Sequence, residues 1–279
     1  MITTEACIKQ FIEDHSFRCE KSTLDSYKRS IQQLLRFSNK PYHEITKRDI
    51  RNWMMYLNEE GYKVNSIRNK VFDLRVFYKY CAEEDLIPNN PAESIFPPKS
   101  EDKLPYYLTN EQLTKLRLIC TGKLKQRAII EVLYATGVRI SELTSMKLED
   151  INWSERLIQI PNGKGKKGRI VMFTRECEEH LKAYLLERSD ELPFVFLNRR
   201  STGAIFKTSI NYWFDDYKEK LGIHLSPHTL RHTFAAHLAR KGMPLSSIQA
   251  LLGHEDTSMA HRYARLHQQA QREMYDEWM

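Results

Sequence analysis

The chain has 279 residues, of which 41% are hydrophobic and 28% are charged, and its net charge is +7. This composition is typical of a soluble globular protein with room for two domains, and the positive charge suits a polyanionic partner. No apolar run approaches the roughly 18 residues of a membrane span, the N-terminal segment lacks a signal-peptide pattern, and the five scattered cysteines form no C-x-x-C pair. The sequence therefore predicts a cytoplasmic protein with reduced thiols and no membrane partner.

Residues 1–86 carry apolar side chains at spacings of three and four, which is the period of an α-helix. They predict a bundle of four helices, the third beginning after Thr46 with Asp49 as its capping-box partner. On the outer face of the fourth helix we expect several basic residues and a single acid, Asp73. Such a face is either solvated surface or a phosphate-binding surface, and its candidate phosphate contacts are Arg68, Lys70 and Arg75.

Residues 87–106 contain five prolines among several charged residues. This composition predicts an extended, exposed linker. We therefore place a domain boundary there, with one domain over residues 1–86 and another over 107–279. Two domains joined in this way can close as a clamp around a rod-like partner.

The second half predicts helices with a small sheet among them. Thr109 is a candidate cap for its first helix, and Ser141 for the helix that begins after Gly137. Residues 156–161 and 169–173 alternate in the strand period and flank a basic turn. The other predicted helices lie at about 124–136, 175–188, 208–220, from Pro227 (after the cap Ser226), 246–252 and from Thr257 onward. The predicted fold class is mainly α with a small antiparallel β-sheet.

Three local patterns resemble other kinds of functional site, but the residues around each pattern do not fit that site. The Gly-Lys-Gly-Lys-Lys-Gly run at 163–168 matches the dinucleotide fingerprint, but a strand follows it instead of the helix whose N-terminus binds phosphate. His228 and His232 have the spacing of a helical zinc pair, but Thr229 stands where a metalloprotease has its catalytic glutamate. Ser141 lacks a glycine-framed nucleophile elbow. We therefore predict neither a nucleotide cofactor nor a metal.

Five segments of the second half carry a resemblance: Tyr134-Ala-Thr-Gly-Val-Arg-Ile-Ser-Glu-Leu143, the Gly-Lys-Gly turn at 163–165, His228-Thr-Leu-Arg231-His-Thr, Leu251-Leu-Gly-His254 and Tyr263. In this order and spacing they resemble the tyrosine recombinase (phage integrase) family over the whole second half. The helical first half is similar to that family's core-binding domain in length and placement. The resemblance implies a catalytic set of Arg139, Lys164, His228, Arg231, His254 and the nucleophile Tyr263.

These residue types suit attack on a phosphodiester. The two guanidinium groups of Arg139 and Arg231 can bind the non-bridging oxygens of a five-coordinate phosphorus, where negative charge develops. A tyrosine hydroxyl, that of Tyr263, supplies a covalent nucleophile and stores the bond energy as a phosphotyrosine, so that no ATP is required.

Three other residues of the set handle protons or brace the site. His228 is the natural acceptor of the phenol proton, and Lys164 is a candidate donor to the leaving 5′ oxygen. His254 either hydrogen-bonds a phosphate oxygen or holds the site together. Glu142, three residues after Arg139, either orients an arginine or balances the charge, or else it is structural.

The resemblance implies a site-specific recombinase that cleaves and rejoins duplex DNA through a covalent 3′-phosphotyrosine and a Holliday junction, without metal or ATP. It also implies a C-shaped two-domain clamp with a SAM-like core-binding domain, and a homotetramer on synapsed DNA, possibly including a paralogous recombinase. In the basic turn, Lys166 and Lys167 are further candidate DNA contacts. The last helix, 266–279, has Met274 and Trp278 but little else to bury, and the resemblance implies that it docks on a neighbouring protomer in trans, as such tails do in that family.

Two other functional classes remain open. A topoisomerase of related chemistry would use the same residue types but would relax supercoils without site preference. A DNA-binding accessory protein that has lost cleavage would need a broken catalytic set, and this set is complete. The biological role is open between chromosome or plasmid dimer resolution, transposon cointegrate resolution, and integration or excision of a mobile element. The expected lack of an extra arm-binding domain favours a Xer-like or transposon-encoded resolvase type.

Overall fold

Two units make up the chain, Met1–Glu101 and Asp102–Met279, so the division falls within the predicted linker. The computed structural model describes residues 2–98, 104–161, 168–253 and 262–279. Among the helices of these ranges, none has the length and apolar character needed to cross a membrane.

The first unit contains the four predicted helices. Their bounds are α1 Thr4–His15, α2 Lys21–Ser38, α3 Lys47–Glu59 and α4 Val64–Glu83, with a 3₁₀ turn at Tyr42–Glu44. The predicted capping box is present, because Thr46 Oγ1 accepts from the Asp49 backbone N–H and the Asp49 carboxylate accepts from the Thr46 N–H at 2.8 Å. The core is built from the apolar stripes of all four helices, which meet at Phe11, Ile31, Trp53 and Phe77.

Asp73 does not lie on the outer face of α4, so that expectation was wrong. Its side chain is buried and accepts hydrogen bonds from Ser26 Oγ at 2.9 Å and Ser30 Oγ at 2.6 Å. Two hydroxyl donors satisfy a carboxylate that burial would otherwise destabilise. Asp73 therefore joins α4 to α2 and does not offset the basic residues of the outer face.

The predicted linker is not exposed throughout. Ile87, Ala92 and Ile95 are buried in the core of the first unit. Prolines had suggested an extended connector, but the apolar residues between them pack into the core of the helical bundle. The first unit therefore extends past residue 86.

The second unit is mainly helical with a three-stranded antiparallel sheet, which confirms the predicted fold class. Its helices are α5 Asn110–Ile119, α6 Leu124–Thr136, α7 Ile140–Ser145, α8 Arg175–Leu186, α9 Lys207–Leu221, α10 Pro227–Arg240, α11 Leu245–Leu252 and α12 Ala264–Trp278. The strands are β1 Ile151–Asn152, β2 Leu157–Ile160 and β3 Arg169–Met172, in the order β1-β2-β3. The register pairs Leu157 with Met172 and Ile160 with Arg169.

Three details of the second unit bear on the site. Strand β1 was not predicted, because two residues are too short for an alternating pattern. Ser141 is not a cap: Arg139 occupies the N-cap position of α7, and Ser141 lies inside the helix. Helix α6, buried at the centre of the core, packs against both α8 and α10 and so supports the elements that carry the site.

The last helix buries more than its sequence suggested. Leu266 and Ala270 are buried, and α12 packs on α10 of the same chain. Its distal half carries large exposed side chains, with Tyr275 63% and Trp278 85% exposed. Docking of this distal half on a neighbouring protomer stays a prediction.

Candidate active site

The N-terminal turns of α10 present the two histidines and the arginine that the sequence singled out. Ser226 caps the helix, its Oγ accepting from the Thr229 N–H at 3.1 Å, and Pro227 occupies the first turn, as predicted. Leu230 and Phe234 are buried and anchor the opposite face of the helix. The side chains at the other face are therefore held on a rigid element.

Arg231 is almost completely buried, with 3% of its surface exposed. Its guanidinium donates to the carbonyl of Gly137 and, at 2.6 Å, to that of Leu252. Burial and the nearby charge of Arg139 lower the pKa of Arg231 to about 9, so the group is still protonated at neutral pH. Gly137 itself has φ +62°, and a Cβ at this position would overlap the Phe234 ring, so glycine suits this close packing against α10.

Arg139 precedes α7 and points its guanidinium toward the same place. Its Nη1 donates to Glu142 Oε1 at 2.8 Å and its Nη2 to the Gly253 carbonyl at 3.3 Å. Its backbone N–H donates to Glu142 Oε2 at 2.7 Å. One carboxylate thus caps the helix and orients the guanidinium, which answers the alternative left open for Glu142: the residue does orient an arginine.

Arg169, the first residue of β3, is a site residue that sequence reasoning missed. Its guanidinium binds Glu142 with two parallel hydrogen bonds of 2.9 and 2.8 Å, and its Nε donates to the Leu251 carbonyl at 2.9 Å. Burial raises the pKa of Glu142, but hydrogen bonds from Arg169 and Arg139 outweigh it and lower that pKa to about 2. Since the partners of Arg169 lie 27 and 82 residues away, no local pattern identifies it.

Tyr263 is buried, with 1% of its surface exposed, and its hydroxyl lies 2.5 Å from His232 Nδ1. Burial raises the pKa of this phenol, against opposing effects of the Arg231 and Arg262 charges. The sequence had placed His228 beside the tyrosine, whereas His232 makes the contact in this structure. His232 lies one helical turn after His228 and shares its face, but this spacing does not tell which of the two rings meets the tyrosine.

His228 lies at the exposed edge of this group. Its ring contacts the ring of His232 edge-to-face, with centroids 4.3 Å apart. Partial burial of the ring against its neighbours, together with the charges of Arg231 and Arg139, lowers the pKa of His228. A neutral imidazole with a lowered pKa is able to accept a proton at neutral pH.

The structure thus brings together four of the six predicted catalytic residues, which are Arg139, His228, Arg231 and Tyr263. Their charges act on one another, since Arg139 and Tyr263 both influence the pKa of Arg231. The other two, Lys164 and His254, lie outside the described residues, as do Lys166 and Lys167 of the basic turn.

In the first unit, two predicted phosphate contacts also bind the chain's own backbone. Arg68 Nη1 donates to the Pro98 carbonyl at 2.9 Å. Arg75 donates to the carbonyls of Ala92, at 3.3 Å, and Ile95. Both arginines therefore hold the segment after α4 in place, whatever else they contact.

Lys70 is held differently, by side chains. Its Nζ donates to Gln33 Oε1 at 2.6 Å and lies 5.5 Å from the centre of the Tyr62 ring. Tyr62 is exposed, so this face of α4 offers a cation, an amide and an aromatic ring together. That combination is common where proteins contact nucleic acid.

Within the described ranges, one group of side chains has the composition of a metal site, namely Glu131, Glu176 and His180, whose ligand atoms lie within 4.8 Å of one another. Arg127 binds both carboxylates, donating to Glu131 at 2.7 Å and to Glu176 at 3.0 Å. Guanidinium groups already neutralise these acids, so the donor set does not suit a divalent cation.

Two family models match the chain. The phage integrase family matches residues 106–270, and the N-terminal SAM-like domain of phage integrases matches residues 8–87. Among curated relatives, tyrosine recombinase XerC of Bacillus licheniformis is 33% identical over 273 residues, covering 91% of this chain and 89% of the relative. Tyrosine recombinase XerA of Pyrococcus furiosus is 33% identical over 249 residues, covering 88% and 84%.

Solved structures give the same result for the fold. A XerA recombinase crystal structure shares 29% identity with a TM-score of 0.56, covering 98% of each chain. The Tn1549 transposon integrase bound to transposon right end DNA has a TM-score of 0.80 at 20% identity, covering 99% of each chain. A lambda integrase dimer bound to a COC′ core site has a TM-score of 0.76 at 20% identity, covering 92% of this chain and 97% of that one. The chain belongs to the phage integrase family and is a Xer-like tyrosine recombinase, a DNA strand-transferring enzyme.

Proposed function

We propose that this recombinase acts at a specific site in duplex DNA, cutting each strand through a covalent 3′-phosphotyrosyl link on Tyr263. The observation that carries the proposal is the convergence of two guanidinium groups, a neutral imidazole and a buried tyrosine on one face of the second unit. Relatives named tyrosine recombinases, and solved homologues in complex with DNA sites, support it.

In the proposed reaction the Tyr263 oxygen attacks the phosphorus, and the bond from phosphorus to the 5′ oxygen breaks. Arg139 and Arg231 stabilise the charge that develops on the non-bridging oxygens. His228 accepts the phenol proton, and Lys164 donates a proton to the leaving oxygen. A free 5′ hydroxyl from a second strand reverses the step. One ester replaces another throughout, so the bond energy is conserved without ATP.

Tyr263 must leave its buried position for this reaction, because a phosphodiester does not reach a side chain that is 1% exposed. In the free chain His232 holds the phenol. On DNA, Tyr263 turns toward the phosphate and His228, at the exposed edge, becomes its proton acceptor. The low exposure protects the nucleophile until a substrate is bound.

A nicked suicide substrate carrying an inverted-repeat recombination site tests the cleavage step. Cleavage releases the short fragment that carries the new 5′ hydroxyl, and its loss traps the phosphotyrosyl enzyme. The wild type should therefore give a covalent adduct that survives denaturation. The Tyr263→Phe variant should bind the site and give none, whereas an adduct in that variant would refute the assignment. Relaxation of supercoiled plasmids that lack the site would instead favour a topoisomerase.

We further propose a homotetramer on two synapsed sites, in which the distal half of α12 docks on a neighbouring protomer and a Holliday junction is exchanged. Exposed Tyr275 and Trp278 support this, because large apolar side chains at a helix end favour a partner surface. Replacing both with Ser, or deleting 268–279, should weaken tetramer assembly and leave single-site binding intact. Unchanged tetramer assembly in these variants would contradict the proposed docking of α12.

The cellular role follows from the arrangement of sites that the enzyme recombines. We propose that it acts in the cytoplasm and resolves chromosome or plasmid dimers, with mobile-element recombination as the second candidate. A plasmid carrying two directly repeated sites should be converted to two circles. Exclusive joining of sites on separate molecules would favour integration instead.

A further inference from the structure

Three consecutive carbonyls at the end of α11 each accept a hydrogen bond from a different arginine. Arg169 Nε donates to Leu251 O at 2.9 Å, Arg231 Nη2 to Leu252 O at 2.6 Å, and Arg139 Nη2 to Gly253 O at 3.3 Å. The three arginines come from β3, α10 and the N-cap of α7. Three other elements therefore meet at the end of α11.

A helix C-terminus is suited to this arrangement. The last carbonyls of an α-helix lack partners within the helix and carry a partial negative charge. Gly253 ends α11 in the left-handed conformation, with φ +63°. Guanidinium groups brought together would repel one another, and the aligned carbonyls compensate part of that repulsion.

Glu142 divides the three arginines into two kinds. It binds Arg169 with two hydrogen bonds, and it binds Arg139 with one side-chain contact of 2.8 Å. The Arg169 side chain is 14% exposed, whereas that of Arg139 is 37% exposed. Arg169 is thus the member that Glu142 binds most fully and the more enclosed of the two, and we call Arg139 and Arg231, which the proposed function assigns to the phosphate, the arginine pair.

We propose that Arg169 is a positioning residue for cleavage: it fixes Glu142 and the end of α11, and through them sets the spacing of the arginine pair on the phosphate. This rests on the proposed function and adds a residue that does not itself touch DNA. Arg169 makes contact with both supports of Arg139, the Glu142 carboxylate and the end of α11. Its removal leaves Arg139 with a carboxylate that is free to turn.

Gly253 gives independent support from packing. A Cβ at this position would lie 2.8 Å from Arg169 Cδ and 3.0 Å from its Nε and Nη1. Only glycine allows the α11 end to approach the guanidinium so closely while keeping a positive φ. A Gly253→Ala substitution should therefore displace Arg169 and impair cleavage in the same way as Arg169→Ala.

The test is single-turnover cleavage of the nicked site by Arg169→Ala, with Arg127→Ala as the matched control. Arg127 is similarly enclosed, at 16% exposure, and binds two carboxylates remote from the arginine pair. We expect Arg169→Ala to cleave about 10²-fold more slowly, the scale of a misplaced catalytic group, and to bind the site normally. The folded fraction of Arg127→Ala should cleave at the wild-type rate. Arg169→Lys should recover only part of the loss, because an ammonium does not form the two parallel bonds.

A methylphosphonate at the scissile position separates positioning from general damage. Replacing one non-bridging oxygen by methyl removes the anion that the arginine pair binds, so a positioning defect matters less. The Arg169→Ala rate loss should shrink to a few-fold on this substrate, as it should for Arg139→Ala. An undiminished loss would overturn the proposal.

A second modified substrate tests whether Arg169 acts through proton donation instead. A 5′-bridging sulfur leaves as a thiolate and needs no general acid, because thiols are far more acidic than alcohols. Full recovery of Arg169→Ala on this substrate would overturn the proposal. Failure of the wild type to form any adduct would refute the proposed function, whereas wild-type activity in Arg169→Ala would refute this inference alone.

Discussion

The second unit contains two clusters of arginine and glutamate that differ in their balance of charge. In the first, Arg117 and Arg127 both bind Glu131, through bonds of 2.6–2.9 Å, and both reach Glu176 at 3.0 Å. Two cations face two anions, and Glu131 is 1% exposed. We call this the balanced cluster. It joins α5, α6 and α8.

In the other, which we call the unbalanced cluster, the described residues pair Arg139 and Arg169 with one carboxylate, that of Glu142, whose charge also acts on Arg231. Carbonyls at the end of α11 accept further hydrogen bonds from all three arginines. A carbonyl satisfies a guanidinium N–H without cancelling its charge, so positive charge is retained at this place. The comparison shows how a protein keeps arginines ordered and still available to an anion.

The largest expected effect on cleavage comes from removing one positive charge of the unbalanced cluster. Arg139→Ala should lower the rate of covalent adduct formation about 10³-fold, since in the proposed reaction this cation stabilises the transition state. Single-turnover assays on the nicked site measure this. The melting temperature should change little, because the side chain is 37% exposed. A rate within tenfold of the wild type would contradict the distinction between the clusters.

Removing an acid from the balanced cluster should lower stability and leave the rate of adduct formation unchanged. Glu131→Ala leaves two partly buried guanidinium groups without their main acceptor, so the second unit should lose about 4 kcal/mol of unfolding free energy. Calorimetry of the unfolding transition measures the loss. At a temperature where the variant is still folded, its adduct formation should match the wild type. A strong catalytic defect there would mean that both clusters serve the reaction.

This contrast was only partly visible in the sequence. Arg139, His228, Arg231 and Tyr263 were predicted from the family resemblance. Helix bounds followed from the period of apolar residues and from caps such as Ser226. These signals are local, because a cap or a helical face is specified within a few residues.

What the sequence did not show were the partners of charged side chains across elements. Arg169, Asp73 and the His232–Tyr263 contact all depend on which faces pack together, and spacing along the chain carries no such information. Ser141 was mistaken for a cap because small polar residues are common there, whereas Glu142 performs that work from inside the helix.

A smaller effect on stability is expected when the pH is lowered, and a comparison with a Glu142 variant assigns it to that residue. The hydrogen bonds of Arg169 and Arg139 lower the pKa of Glu142 from 4.5 to about 2 against the opposing effect of burial. A lowered folded-state pKa contributes stability that is present above pH 4.5 and is lost as pH falls toward 2. The contribution amounts to about 3 kcal/mol. Glu142→Gln should therefore be less stable than the wild type at pH 7, and the gap should narrow between pH 4.5 and pH 2. Urea unfolding at several pH values measures it, and a constant gap would contradict the ion-pair assignment.

The smallest effect is expected at the rim of the balanced cluster. Glu176 is 45% exposed, so solvent screens its contacts with Arg117 and Arg127. Glu176→Gln should cost only about 0.5 kcal/mol of stability and leave cleavage unchanged.

The same variant tests the metal alternative, because Glu176 belongs with Glu131 and His180 to the group of candidate ligands. If the arginines occupy these carboxylates, added Zn²⁺ or Mg²⁺ should not raise the melting temperature of the wild type. A rise that disappears in Glu176→Gln would show that a cation competes with the guanidinium groups, and the cluster would then be a ligand site and not a balanced structural one.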